Sequence, residues 1–77
     1  MKKVSIYSTP TCTYCNMSKE FFKEHNIPFE NFDVSTDLVK RKEMIQKSGQ
    51  MGVPVIFVDD QMIIGFDKPR LSKALGV

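Results

Sequence analysis

The sequence predicts an α/β chain of order β-α-β-α-β-β-α, with a four-stranded mixed sheet flanked by helices. Three observations predict it. First, the alternating stretch "KVSIYST" is followed by a segment with helical apolar spacing and then by a second alternating stretch, "PFENFDV". A strand–helix–strand start implies two parallel strands joined by a right-handed crossover. Second, the apolar run "VPVIFV" is followed by Asp59-Asp60 and "QMII", a hairpin pattern that adds two antiparallel strands. Third, 77 residues, 42% hydrophobic and 26% charged, suit one small globular domain spanning residues 1–77.

The first strand is expected over Lys3 to Thr9, with Val4 and Ile6 on one face against Lys3, Ser5 and Tyr7 on the other. "PTCTYC" opens with a turn at Pro10 and Thr11. From about Thr13 to His25 the spacing is helical. Cys15, Ser18, Phe22 and His25 share one side, flanked by Tyr14 and Phe21. Asn26 acts as its stop, followed by Pro28. The second strand runs from Pro28 to Val34. Ser35 or Thr36 is expected to cap a second helix through Lys47, with Asp37 favourable in its first turn. Leu38, Val39, Met44 and Ile45 supply its apolar contacts, and Gly49 ends it. Val53 to Val58 is expected as a strand buried on both faces. Asp59-Asp60 makes the turn, and Gly65 breaks the returning strand. Asp67 caps a last helix, with Pro69 tolerated in its first turn and Leu71, Ala74 and Leu75 facing inward.

Bulk properties exclude several functions. No apolar run approaches the roughly 18 residues of a membrane span. The start, "MKKVSIYS", has two lysines but neither a long apolar core nor a small-residue cleavage site, so it does not match a signal peptide. A cytoplasmic setting is therefore expected, and the chain is expected to act as a monomer. The net charge of +2 is too weak to imply nucleic acid, and "VKRKE" (Val39 to Glu43) suits the solvated face of a helix.

The chain holds two cysteines, Cys12 and Cys15. A bridge between them closes a very small loop and restricts the unfolded chain little, so it is a poor structural staple. Cys12 falls where strand gives way to helix. The first amides of a helix lack internal acceptors, and the macrodipole adds partial positive charge there. Both favour a thiolate, and in C-x-x-C motifs at helix starts the thiol pKa falls from ~8.5 to roughly 3.5–7.5. Cys12 is thus the expected nucleophile. Cys15, one turn on and partly inside, can attack a mixed disulfide formed on Cys12, as two-step thiol–disulfide exchange requires. A zinc site is disfavoured, because structural zinc takes four Cys or His ligands and only His25, pointing away from the helix start, could join the pair. No metal is expected.

The whole chain resembles a glutaredoxin or glutaredoxin-like redoxin of the thioredoxin-fold superfamily. "IYSTPTCTYC" resembles the glutaredoxin active-site segment, whose usual pair is Cys-Pro-Tyr-Cys. Tyr14 matches and Thr13 replaces the proline. "GVPVIFVDD" resembles the Thr-Val-Pro segment and hairpin, with Gly52 in place of threonine. "IGFDKPRL" resembles the Gly-Gly-x-Asp segment that opens the last helix, with Ile64 in place of the first glycine.

The resemblance implies a thioredoxin fold and a small thiol–disulfide oxidoreductase that reduces protein disulfides or glutathione mixed disulfides. Cys12 attacks and Cys15 resolves. Val53 precedes a cis-proline, Pro54, whose loop faces the cysteines. The Val53 backbone pairs with an extended substrate such as the cysteine residue of glutathione. Tyr14 belongs to the same site. Gly65, Phe66 and Asp67 present amides and a carboxylate to the γ-glutamyl end. Glutathione is implied as co-substrate, with no tightly bound cofactor. Many family members carry a lysine three residues before the first cysteine. Thr9 stands there and removes a cation that contacts the glycyl carboxylate. Gly65-Phe66 followed by Pro69 also resembles the small redoxins that reduce ribonucleotide reductase and take electrons from thioredoxin reductase. The implied partners are thus disulfide-containing proteins with glutathione, thioredoxin reductase or both.

Two rival functions differ in class. One is an iron–sulfur carrier in which two chains bridge a cluster through Cys12 and glutathione, which Thr13 permits and Cys15 opposes. The other is a structural domain with inert thiols. The remaining conspicuous residues have plain roles. His25 suits a cation at a helix C-terminus. Met44, Met51 and Met62 suit core or rim filling, with Met51 beside the proline loop. Phe21, Phe22, Phe29, Phe32 and Phe57 suit the core. Phe66, at a loop–helix junction, suits either packing or partner contact. Ser48 to Gly52 is expected to be a flexible approach to Pro54.

Overall fold

Strand β1 (Val4–Ser8) lies inside a four-stranded sheet of order β2-β1-β3-β4. The computed structural model describes residues 3–77. Met1 and Lys2, which open the stretch weighed as a leader, lie outside the described residues. The elements follow as helix α1 (Thr13–Glu24), strand β2 (Glu30–Asp33), helix α2 (Leu38–Ser48), strand β3 (Val55–Val58), strand β4 (Gln61–Ile64) and helix α3 (Lys68–Leu75). β1 pairs with β2 in parallel and with β3 antiparallel, and β3 pairs antiparallel with β4. Among the described residues no helix is long and apolar enough to cross a membrane.

Each side of the sheet has its own core, because the inner strands are apolar on both faces. Val4, Ile6, Ile56, Val58 and Ile63 meet Phe21 and Phe22 of α1 and Leu71 and Ala74 of α3. On the other side Tyr7 and Val55 meet Val34, just after β2, and Met44 of α2. Period-two alternation along β1 and β3 sends neighbours to opposite clusters. Phe29, Phe32 and Phe57 pack against these clusters while staying partly exposed.

The ends of the elements follow local chemistry. Asn26 takes φ 55° just after α1, and Gly49 takes φ 71° at the end of α2. Asp59 adopts φ 54° in the hairpin turn and also accepts the Lys3 amide through Oδ1 at 2.8 Å. β3 begins two residues later than expected, at Val55. Pro54 has no N–H to donate to the ladder, and the Val53–Pro54 bond is cis.

The expected cap of α2 is corrected. Ser35 does not cap it, because its amide and hydroxyl both bond Oδ1 of Asp33. Thr36 does not either; its hydroxyl donates to the Asp33 carbonyl at 3.4 Å. Asp37 is the cap, accepting the Lys40 amide at 3.1 Å. Asp33 engages both hydroxyls, and Asp37, as good a cap as serine, stands next to the helix start.

The apolar face of α2 is also corrected. Leu38 and Val39 are 64% and 74% exposed, leaving Met44 buried and Ile45 half-buried. Two lysines of α2 instead reach over rings on this side of the sheet. Lys40 Nζ lies 4.3 Å from the Phe32 ring centre and Lys47 Nζ 5.4 Å from that of Phe57. An ammonium placed over a ring face is attracted by the ring quadrupole. Between them Glu43 accepts the buried Tyr7 hydroxyl at 2.7 Å and pairs with both lysines.

Candidate active site

β1 delivers the chain to its C-terminal edge, where Pro10 and Thr11 turn it into α1. The strand register gathers the other segments at this same edge. Tyr7 faces Val55 across β1 and β3, so Pro54 lies beyond the end of that pair. Val55 faces Ile64, so Gly65 lies beyond it too. The Gly65 amide donates to the Pro54 carbonyl at 2.8 Å and ties the two loops together.

Cys12 is the residue just before α1, with extended backbone at φ −81° and ψ 111°. Its amide donates to Thr9 O at 3.3 Å, which closes the turn. Its sulfur accepts the Cys15 amide at 3.1 Å. The thiol therefore occupies the position a serine or aspartate usually takes at a helix start, and negative charge on it meets an unpaired helix amide. Cys12 is partly exposed and Cys15 fully buried, and both are free thiols. Burial, then the hydrogen bond with Cys12, pushes the Cys15 thiol up to about 12. The two cysteines thus have distinct surroundings one turn apart.

The other predicted site residues are arranged as follows. Tyr14 is 61% exposed and stands beside the pair. Val53 is half-buried against the Tyr7 and Met44 cluster, and Pro54 is buried. Gly65 takes φ 81°, a conformation that favours glycine. Its amide is already engaged by Pro54, so it is not among the free amides expected for a γ-glutamyl carboxylate. Phe66 divides its surface: its ring packs edge-on to Phe21 at 6.2 Å and part of it stays exposed. Asp67 Oδ1 accepts the Arg70 amide at 3.2 Å and so caps α3. One residue thus carries a structural bond as well as the charge expected to face substrate. Thr9 offers no charge.

Three features escaped the sequence reading. Ser48 to Gly52 is not loosely held. The Gln50 side chain accepts the Gly52 amide at 2.6 Å and donates to its carbonyl at 3.0 Å. A Cβ at position 52 would meet Gln50 Oε1 at 2.7 Å, so the flexible Gln50 side chain would have to move to admit the threonine the family carries. His25 ends α1 with its ring 4.5 Å from that of Phe21. Third, Glu20 and Glu24, charges that fall away from the apolar side of α1 by spacing, line a groove of ≈ 580 Å³ with Phe21 and Phe66. Their spacing of four put them on one face; only the approach of Phe66 makes that face a groove. Among the described residues no group of three or more His, Cys, Asp or Glu side chains converges as metal ligands.

Comparison with known proteins gives the fold and site a family. A family model described as Glutaredoxin matches residues 4–63. The chain is 44% identical over 72 residues to a glutaredoxin-like 8.6 kDa protein in the rubredoxin operon of Clostridium pasteurianum, covering 94% of this chain and 96% of that one. It is 39% identical over 67 residues to glutaredoxin 3 of Escherichia coli, covering 87% and 81%. It is 33% identical over 73 residues to the glutaredoxin-like protein NrdH of Lactococcus lactis, covering 91% and 96%. Among solved structures it superposes on a mutant of the thioredoxin-like protein BC3987 with a TM-score of 0.92 and 31% identity, over 100% of this chain and 99% of that one. The chain belongs to the glutaredoxin family: it is a glutaredoxin-like thiol–disulfide redoxin on a thioredoxin fold.

Proposed function

We propose that this protein is a dithiol electron carrier that reduces protein disulfides or glutathione mixed disulfides, with Cys12 as nucleophile and Cys15 as resolving thiol. The observation that carries the reading is the asymmetry of the pair: Cys12 is reachable with its sulfur on a helix amide, while Cys15 is buried and held protonated.

The Cys12 thiolate attacks one sulfur of the substrate disulfide and forms a mixed disulfide. The second substrate sulfur leaves as a thiolate. Cys15 gives up its proton, which the departing thiolate takes, and its sulfur attacks Cys12 Sγ. The Cys12–Cys15 disulfide forms, and the first substrate sulfur leaves Cys12 as a thiolate that takes a proton from solvent, so the substrate is released as a dithiol. Two electrons pass to the substrate with one proton from Cys15 and one from solvent, the latter matching the proton Cys12 lost on becoming a thiolate. Burial keeps Cys15 from competing for the first attack, because only the thiolate is nucleophilic.

Tyr14, Val53, Pro54, Phe66 and Asp67 form the substrate surface around this pair, with Gly65 shaping its loop. The family supports glutathione as the returning reductant, and Asp67 suits its ammonium. Thr9 and the engaged Gly65 amide both weaken that site. The same two observations favour thioredoxin reductase as a second donor, in line with the likeness to a glutaredoxin-like NrdH protein. Residues 1–77 then act as a single domain and a monomer in the reducing cytoplasm, where free thiols persist.

The test is a turnover assay on a small disulfide with the oxidised carrier recycled by glutathione and its reductase, and separately by thioredoxin reductase and NADPH. Cys12→Ser abolishes turnover with either donor. Full activity in Cys12→Ser overturns the reading.

A further inference from the structure

Resting on that reading, we propose that the groove beside α1 is a docking site for protein substrates, and that it takes a polypeptide segment carrying a bulky apolar side chain next to lysine or arginine. The groove starts at the reactive pair, since Thr13, between the two cysteines, forms one end. It then follows one face of α1 through Met17, Glu20, Phe21 and Glu24, residues three or four apart. Phe66 joins the lining from the loop before α3, one residue from the Gly65–Pro54 tie.

The chemistry of the lining selects the occupant. Met17 is 44% exposed, and the Phe21 and Phe66 rings meet edge-on in the same lining, so the floor is apolar. Glu20 and Glu24 have no ion-pair partner among the described residues. Against these two carboxylates Lys68 is the one cation in the lining. This is an acidic strip on a chain of net charge +2. Glutathione, with two carboxylates and one ammonium, is repelled by it. A basic, apolar stretch flanking a disulfide is attracted and its apolar side chain has a floor to cover. The groove then holds the substrate while Cys12 attacks, which separates recognition of a protein from recognition of glutathione.

The test uses two synthetic peptides, each closed by one disulfide and bearing the same leucine-containing tail. One tail carries two lysines and the other two glutamates. The fully reduced protein is mixed with each peptide in a single turnover, quenched by alkylation, and the reduced peptide is counted by mass. At low salt the lysine peptide is expected to react about tenfold faster than the glutamate peptide. The ratio should fall toward one in the Glu20→Gln/Glu24→Gln variant. It should stay near ten in Glu30→Gln/Asp60→Asn, which has the same change in charge away from the groove. A ratio near one in the unmodified protein, or an equal fall in both variants, overturns the docking site and leaves the redox reading intact. Reduction of neither peptide by the folded protein overturns the redox reading and the docking site with it.

Discussion

The backbone amide of Cys15 donates to the sulfur of Cys12 across 3.1 Å. The buried residue thereby holds the exposed one at the helix start, and the two thiols meet different solvents. Alkylation of the reduced protein at mildly acidic pH should label Cys12 first, since Cys15 is both shielded and pushed up to about 12. Peptide mapping after brief labelling checks it, and a majority of label on Cys15 reverses the assignment.

The electron donor can be separated by two substitutions. Thr9→Lys restores a cation, and an exposed charge-assisted contact of about 1 kcal/mol corresponds to roughly fivefold faster glutathione-dependent turnover at low salt. Asp67→Ala removes the helix cap together with the charge, so it confounds two effects. Asp67→Asn keeps an acceptor for the Arg70 amide and removes only the charge. It should slow the glutathione rate with little change in melting temperature. Rapid turnover by thioredoxin reductase, with neither substitution altering the glutathione rate, assigns the donor to the reductase.

The Tyr7–Glu43 bond makes stability depend on acid. The Tyr7 hydroxyl, then Lys47, hold the Glu43 carboxyl down at about 2 against an ordinary 4.5. A depressed carboxylate contributes stability that is fully present above its unfolded value and lost as pH falls through the folded one. Unfolding by urea should therefore become easier between about pH 4.5 and 2, with a shallower loss in Glu43→Gln. Tyr7→Phe should cost about 1.5–3 kcal/mol at neutral pH, as expected for a hydrogen bond to a charged group. An identical pH profile for Glu43→Gln and the parent contradicts this.

The Gln50 clamp on Gly52 predicts a specific effect of restoring the family's threonine. In Gly52→Thr the new Cβ collides with Gln50 Oε1 at 2.7 Å, so Gln50 must swing away and both of its bonds to residue 52 break. Amide exchange at position 52 should then speed up several-fold, as the lost bond to its N–H contributes about 1 kcal/mol. Unchanged exchange there shows that the clamp does not hold the loop.

Element order and the site's centre were legible in the sequence because they rest on local signals. Alternation marks the strands, glycines mark the stops, and Cys12 and Cys15 stand between a strand and a helix. Asp67 was recognisable as a cap because Pro69 follows it. What escaped depends on contacts between distant residues. Leu38 and Val39 look like core by composition, yet tertiary packing leaves both exposed and sets the Lys40 and Lys47 ammonium groups over the Phe32 and Phe57 rings. Ser35 and Thr36 are good caps in isolation, but Asp33 engages both. Nothing local marks Glu20 as a wall residue, since Phe66 arrives from a position 46 later. The Gly65 amide likewise looked free until the strand register brought Pro54 to it.

The division of labour between the two thiols is tested most directly by trapping the covalent intermediate. Reduced Cys15→Ser protein and reduced parent protein are each mixed with oxidised glutathione, quenched in acid, and weighed by mass spectrometry. Cys15→Ser should accumulate one glutathione adduct, mapped to Cys12, because nothing resolves it. The parent should show the Cys12–Cys15 disulfide and no lasting adduct. An adduct that persists on the parent, or no adduct on Cys15→Ser, contradicts attack by Cys12 and resolution by Cys15.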